Sequence, residues 1–540
     1  MRRHRSTLLA AGLLALLMCA GTVCAGDASP GVAGMVGCSD LHGRRVEATD
    51  IGLPTRGAMV TQAVPVPADD AHAVGAYCLI EGEIAAMSAN TQPIRFTAAL
   101  PSRWNNKLAH YPSRGFGGAA VAPDSPELLS LTGGAGLIAR GYVAYGSDNG
   151  HSSDNPLDAS FALNAAELRN FAGEQLKKVH DAIVNLATAY YGQAPAHSYF
   201  IGGSEGGREA LTVVQHYPQD YDGVVALFPG HAFTAGLLKF QVIRRAMQLN
   251  AGAGRISEAQ ADSLRAAELA ACDELDGLND SIIGNPNACR LNFSTLRCAD
   301  AKTAQSNCFS DAQLATLRDM YSPTPAPYSF VDGGTSLPAY TIGADWSTPP
   351  SPVADPPHPR PNNQQVADVF VRFFVMRDPD ADTLAFDPTH PGKYLHRIHE
   401  LSLLMDRTDT NLDKFIARGG KLIVIHGLAD QGVAPNSTID YYNKLLKRYG
   451  RTRLNQVLRL YMVPGYGHGG GVSFNANGAP SLDALEDWVE RGISPGDLVA
   501  TNANHETPRR TRPLCVYPGW PKYRGEGDPN IANSFSCAVN

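Results

Sequence analysis

Residues 202–207 read Gly-Gly-Ser-Glu-Gly-Gly, directly after the apolar run Tyr199-Phe200-Ile201. A serine with glycine two places before and two places after it, at a strand-to-helix turn, has the spacing of a nucleophile elbow. The turn is so sharp that side chains at those two places would collide. Ser204 is therefore predicted to stand at the top of a sheet, with the backbone N–H of Glu205 aimed at the place where an oxyanion would form. A serine hydroxyl needs an imidazole to take its proton. The imidazole needs a carboxylate to fix its tautomer and stabilise its charged form. Both follow downstream. The run 421–425 ends in His426-Gly427-Leu428-Ala429-Asp430, which puts Asp430 in the loop after a strand. The run 457–463 ends in Pro464-Gly465-Tyr466-Gly467-His468-Gly469, which puts His468 in a glycine-rich loop. His426 competes for the role of base. It sits at a strand end and reads as structural, whereas His468 has the right order and the right loop.

The order Ser, Asp, His on a strand–turn–helix frame predicts an α/β fold of the α/β-hydrolase type. Residues 26–230 and 406–540 read as alternating strands and helices, and the two stretches form the two parts of the hydrolase core. Residues 1–25 read as a signal peptide, with Arg2, Arg3 and Arg5 before the apolar run 8–18 and Val23-Cys24-Ala25 before the cleavage point. Residues 231–405 differ in character and separate the serine from its acid and base. They read as a lid domain inserted near the catalytic edge of the sheet. Helical periodicity runs through 163–191, and a further helix is expected over 482–491. The proline-rich stretch 348–361 reads as an extended surface segment. The run Val369-Phe370-Val371-Arg372-Phe373-Phe374 reads as a helix packed in the lid core. Its functional alternative is aromatic cover for a substrate ring, with Arg372 or Arg377 holding a substrate carboxylate.

The chain has 540 residues, 44% hydrophobic and 18% charged, with a formal net charge of −7 and no basic stripe. That balance points away from nucleic acid, and no run after residue 25 is long enough to span a membrane. Ten cysteines, less Cys19 and Cys24 in the leader, leave eight. An even number in an exported chain predicts a disulfide framework, for which sequence alone allows about 105 pairings. The stretch Cys272-Asp273-Glu274-Leu275-Asp276-Gly277-Leu278-Asn279-Asp280-Ser281-Ile282 sets three aspartates around a glycine turn. Such an array suits a hard cation, although its spacing is not that of an EF-hand and a solvated acidic loop reads equally well.

The chain resembles the tannase and feruloyl esterase family, which includes mono(2-hydroxyethyl) terephthalate hydrolase. The resemblance runs from about Cys38 to Cys537. It is carried by 147–151 (Ser-Asp-Asn-Gly-His), 198–208 around Ser204, 221–225 (Tyr-Asp-Gly-Val-Val), 272–277, 420–427, 463–468 and 511–515. It implies the triad Ser204, Asp430 and His468, and an oxyanion hole made by the N–H groups of Glu205 and Gly115. With proximity, it favours the disulfides Cys38–Cys78, Cys272–Cys289, Cys298–Cys308 and Cys515–Cys537. It also implies a structural calcium in the lid, held by the carboxylates of Asp273, Asp276 and Asp280 and the carbonyls of Leu278 and Ile282. That site is expected to lie away from Ser204, so that losing the ion costs stability more than rate.

Two departures stand out. Family members carry a disulfide between the residue before the serine and the residue after the histidine. Here those residues are Gly203 and Gly469, and cysteines at both would be expected to restore the tie if the backbone follows the relatives. The oxyanion loop, usually a glycine run, reads Pro112-Ser113-Arg114-Gly115-Phe116-Gly117-Gly118, which leaves the acyl pocket open. The function implied is a secreted or periplasmic serine carboxylesterase that hydrolyses feruloyl, other hydroxycinnamoyl or galloyl esters through an acyl-enzyme. A tannase proper, a terephthalate monoester hydrolase, a serine peptidase and an inactive binding protein on the same fold are the alternatives. The partner is a small aromatic ester, and the oligomeric state is left open.

Overall fold

Tyr199, Ile201, Val225, Leu227, Ile423 and Ile425 share one apolar cluster, while Phe200, Val224, Ala226, Leu422 and Val424 share another. Successive residues of a strand face opposite ways, so runs apolar at every position belong to strands covered on both faces. The computed structural model places these runs at the centre of one sheet. It describes residues 36–69, 74–113, 115–123, 136–299, 307–346, 363–471, 473–476, 479–503 and 509–539. The leader and the whole of the proline-rich stretch 348–361 lie outside the described residues.

In chain order the strands are β1 (Arg45–Val46), β2 (Ala58–Val66), β3 (Tyr77–Ile84), β4 (Ile94–Pro101), β5 (Lys107–His110), β6 (Val143–Ser147), β7 (His197–Gly203) and β8 (Gly223–Leu227). There follow β9 (Thr324–Pro325), β10 (Ser336–Leu337), β11 (Lys421–Gly427) and β12 (Leu458–Val463). The sheet order is β1-β2-β3-β4-β6-β5-β7-β8-β11-β12. Pairing is antiparallel from β1 through β4 to β6, and parallel from β6 onward. One face is covered by the helix Ser481–Arg491 through Leu482, Leu485 and Trp488. The other is covered by Glu205–His216 and Pro435–Leu454 through Leu211, Val214, Tyr441 and Leu445. This is the expected α/β-hydrolase sheet with helices on both faces.

β8 and β11 are sheet neighbours, with Gly223 opposite Lys421, although nearly two hundred residues separate them. The chain between them holds the β9–β10 ribbon and the helices Phe233–Gly252, Glu258–Cys272, Asp311–Tyr321, Asn363–Val369 and Leu395–Met405. Two of these helices start with capping boxes, Ser257 with Gln260 and Ser310 with Gln313. The two glutamines also hydrogen-bond each other at 2.9–3.0 Å, joining the helix starts. Cys38–Cys78, Cys272–Cys289, Cys298–Cys308 and Cys515–Cys537 are each bonded.

The continuous helix expected over 163–191 is broken. A short helix Ala165–Arg169 passes into a wide turn over Asn170–Glu174, and a regular helix resumes over Gln175–Tyr191. The break has a cause. The guanidinium groups of Arg208 and Arg407 both reach the Ala172 carbonyl, and Arg208 also takes that of Phe171 at 2.7 Å. Gly173, at φ 142°, absorbs the change of direction.

Candidate active site

β7 turns into the helix Glu205–His216 at Ser204, whose φ of 60° is strained for a residue with a side chain. A Cβ at Gly202 would strike the Gly206 carbonyl, and one at Gly206 would strike the Pro112 ring. Glycine is therefore required at both places by close approach. Pro112 also sets the glycine loop 115–118 beside the elbow. Glu205 opens the helix, so its N–H has no partner within the helix. Its carboxylate is paired with fully buried Arg208, whose Nε donates to Glu205 Oε1 at 2.7 Å.

Ser204 Oγ lies 2.8 Å from His468 Nε2, and His468 Nδ1 lies 3.0 Å from Asp430 Oδ2. Gly432 lets the imidazole lie on the acid loop, since a Cβ there would come within 2.5 Å of His468 Cγ. Asp430 is fully buried. Burial alone would raise its pKa. The charges and hydrogen bonds of His468 and His426 outweigh that, and hold the carboxyl well below the usual range. It also accepts from the N–H groups of Gly432 at 2.6 Å and Val433 at 2.8 Å. The three residues singled out in sequence thus meet in one chain of hydrogen bonds.

His426 is not a bystander. It is fully buried, and its Nε2 lies 3.2 Å from Asp430 Oδ2 and 3.1 Å from the Val433 carbonyl. Its Nδ1 lies 2.9 Å from Thr438 Oγ1, and the two oxygens beside Nε2 only accept, which places a ring proton on Nε2. Asp430 therefore sits between two imidazoles. Only the one at 28% exposure, His468, reaches Ser204. The signal in sequence was the His-Gly-x-x-Asp spacing at the end of β11.

The segment 147–151 shapes the glycine loop. Asp148 accepts from the N–H groups of Arg95 at 3.1 Å and Gly150 at 2.8 Å, and its carbonyl takes the Gly118 N–H at 3.0 Å. Burial raises the Asp148 pKa to about 7 and lowers that of His151 to about 4. His151 stacks on Phe161 at 3.9 Å. Gly115 has φ 56°, in the same loop. Behind the elbow, Glu209 is fully buried and takes a hydrogen bond from Gln175 at 3.2 Å. Burial, then the Glu205 charge, push its pKa up to about 8.

Phe370 and Phe374 are fully buried with Phe116, Phe161, Phe171 and Phe233. The core-packing reading of 369–374 therefore holds. Arg372 is committed within the inserted segment, to Asp368 at 3.0 Å and to the carbonyls of Pro379 and Ala381. It is not poised for a substrate carboxylate. Arg377 donates to the Leu163 carbonyl at 2.9 Å.

In the acidic loop, Asp273 and Asp276 are buried and Asp273 Oδ1 has no hydrogen-bond partner among the described residues. Burial, then the charges of Asp280 and Asp273, raise the Asp276 pKa to about 7 against the pull of the Leu278 N–H. Two buried, mutually repelling carboxylates with an orphaned oxygen fit a hard cation. Asp280 is paired with Arg512, and the three aspartates do not offer oxygens all within 4.8 Å of one another. The loop touches the histidine loop at one point. The Ile282 side chain lies over Gly465 of the histidine loop, with Cγ2 3.3 Å from where a Cβ would stand.

The structure disfavours the disulfide tie envisaged between positions 203 and 469. A Cβ at Gly203 would stand 2.8 Å from Phe228 Cζ, and Gly469 has φ 70°. The aromatic ring fills the space, and the left-handed backbone disfavours any side chain at 469.

A sheet of this order with serine, aspartate and histidine on the loops after β7, β11 and β12 defines an α/β-hydrolase. The model of the tannase and feruloyl esterase family matches residues 78–538, and the chain belongs to that family of carboxylic ester hydrolases. It is 33% identical over 517 residues to an uncharacterized esterase of Agrobacterium fabrum, covering 93% of each chain. It is 30% identical over 550 residues to the mono(2-hydroxyethyl) terephthalate hydrolase of Piscinibacter sakaiensis, covering 88% of this chain and 87% of the relative. Feruloyl esterase B from Aspergillus oryzae shares the fold, with a TM-score of 0.77 at 22% identity over 93% of this chain and 99% of that one. Among the described residues no helix is long and apolar enough to cross a membrane.

Proposed function

We propose that this esterase is an exported serine carboxylesterase that hydrolyses esters of aromatic acids, with Ser204 as nucleophile, His468 as general base and Asp430 as its partner. The observation that carries this reading is the 2.8 Å contact of Ser204 Oγ with His468 Nε2, continued at 3.0 Å from Nδ1 to Asp430. Ser204 Oγ attacks the ester carbonyl as its proton passes to Nε2. Asp430 keeps the Nδ1 proton and balances the imidazolium. The N–H groups of Glu205 and Gly115 receive the charge on the carbonyl oxygen, each worth roughly 10²–10³ in rate. Collapse expels the alcohol, which takes the proton from Nε2. Water then loses a proton to Nε2 and attacks the acyl-enzyme. Return of that proton to Ser204 releases the acid.

The aromatic acid is favoured by the relatives, whose names concern feruloyl esters and mono(2-hydroxyethyl) terephthalate. Four disulfides support export. A calcium ion in the acidic loop, held by Asp273, Asp276 and Asp280 with the carbonyls of Leu278 and Ile282, would supply the positive charge that the buried carboxylates lack. Its role is structural.

The test is a panel of feruloyl, galloyl and terephthaloyl monoesters given to wild type and Ser204→Ala. The wild type is expected to turn over at least one, and Ser204→Ala none. More than a few per cent of wild-type turnover in Ser204→Ala would refute the assignment. Activity on peptides with none on esters would move the enzyme to the peptidases.

A further inference from the structure

Phe228 follows β8, and its ring is where the loops of Ser204 and His468 meet. Ideal Cβ atoms at Gly203 and Gly469 would stand 2.8 Å and 3.5 Å from the same atom, Cζ of Phe228. Those glycines are the residue before the serine and the residue after the histidine. The Phe228 ring also lies 4.9 Å from the His468 imidazole, tilted by 59°, and 6.1 Å edge-on from Tyr466. It is 5% exposed.

The backbone carries a cost for this placement. Phe228 has φ 34°, which bulky residues seldom adopt. The conformation is pinned by its neighbours: Phe228 N–H donates to the Ile425 carbonyl at 2.7 Å, and Ser204 N–H to the Leu227 carbonyl at 3.0 Å. Strain of this kind persists only where the surroundings impose it, and it clusters at functional sites. The histidine loop needs an outside support. It holds glycine at 465, 467, 469, 470 and 471, and glycine loses the most conformational freedom on ordering. Asp430 fixes one nitrogen of the imidazole but not the tilt of the ring about that bond.

We propose that Phe228 is the positioning residue of this active site, holding the His468 imidazole in line with Ser204 Oγ by packing against the ring and against both flanking glycines. The proposal rests on the triad reading above. Gly203 and Gly469 are then the two surfaces that let one phenyl ring hold two loops together.

The test compares wild type with Phe228→Leu, Phe228→Ala and Phe228→Tyr. The readouts are kcat and KM for p-nitrophenyl acetate, the rate at which a fluorophosphonate labels Ser204, and Tm. Phe228→Ala is expected to lose at least tenfold in both kcat and labelling rate, with KM within twofold. Phe228→Leu, which refills the space, should recover most of the loss. Phe228→Tyr should fall at least tenfold, because its hydroxyl would project from Cζ into the gap between the two glycines. A lowered Tm with wild-type kcat in the folded enzyme would make Phe228 structural only and overturn the proposal. Where Phe228→Ala does not fold, Phe228→Tyr decides by the same criterion. Wild-type enzyme that a fluorophosphonate fails to label, against Ser204→Ala as control, would instead remove the triad reading.

Discussion

His426 offers the sharpest test of how the acid is held. In His426→Ala, Asp430 loses the donor at 3.2 Å, Thr438 Oγ1 loses its partner at 2.9 Å, and the Val433 carbonyl loses its partner at 3.1 Å. A hydrogen bond to a charged group is worth about 1.5–3 kcal/mol, and each buried polar group left unpaired costs about 1–3 kcal/mol. With the cavity left by a fully buried ring, the expected destabilisation is about 4 kcal/mol. The effect on rate should be far smaller. Asp430 keeps two backbone donors and His468, so the carboxylate stays charged and nearly in place. If about 1 kcal/mol of the lost bond reaches the transition state, kcat falls about fivefold. Asp430→Asn, which imposes the wrong tautomer on His468, should cost about 10⁴. Urea unfolding gives the first quantity, and kcat on an aromatic ester gives the second. Loss in His426→Ala as large as in Asp430→Asn would mean that His426 takes part in proton transfer. Unchanged stability would mean that its contact with Asp430 carries no energy.

The remaining predictions concern the buried charges and the loops. Glu209 has a folded pKa of about 8, above its unfolded value of about 4.3. The folded state therefore holds the extra proton, and stability falls as pH rises between those values, by at most about 1.4 kcal/mol per unit. Glu209→Gln should gain Tm over wild type steadily from pH 5 to pH 8.5, and parallel curves would refute this. Protein prepared without chelator should hold one calcium per chain by elemental analysis. Because Ile282 packs on Gly465, chelation should lower kcat as well as Tm. Finding no calcium would sink the site, and a kcat unmoved by chelation would sink the coupling. Gly203→Cys with Gly469→Cys should be less stable than wild type, since Phe228 fills the space. A higher Tm, with the bond confirmed by mass spectrometry, would show that the ring gives way.

Much of the site was legible because turn sterics are local. Glycine at 202 follows from the clash that a Cβ there would meet with the Gly206 carbonyl, and that clash is written in five consecutive residues, whereas glycine at 206 answers to the distant Pro112 ring. The strands β7, β8, β11 and β12 could be read as apolar runs because both faces of the sheet are covered. The break in the helix at 170–174 was not legible. Its cause lies in Arg208 and Arg407, side chains from elsewhere in the chain that capture its carbonyls. Arg372 looked available in sequence, and its pairing with Asp368, one helical turn away, shows why charge alone does not mark a binding residue.

The sequence by itself determined the elbow at Ser204, the order of nucleophile, acid and base, and the sheet that carries them. The elbow and each strand depend on residues within a few places of one another, where backbone geometry leaves little choice. The tertiary structure alone decided that His426 also meets the acid. His426 and His468 both stand at strand ends beside Asp430, but 264 residues of chain separate Ser204 from the imidazole that reaches it. It also decided that Phe228 would fill the gap between Gly203 and Gly469, and that Ile282 would lie on the histidine loop. Contacts between residues so far apart in sequence leave no period or spacing to read. They follow from which faces the packed sheet brings together.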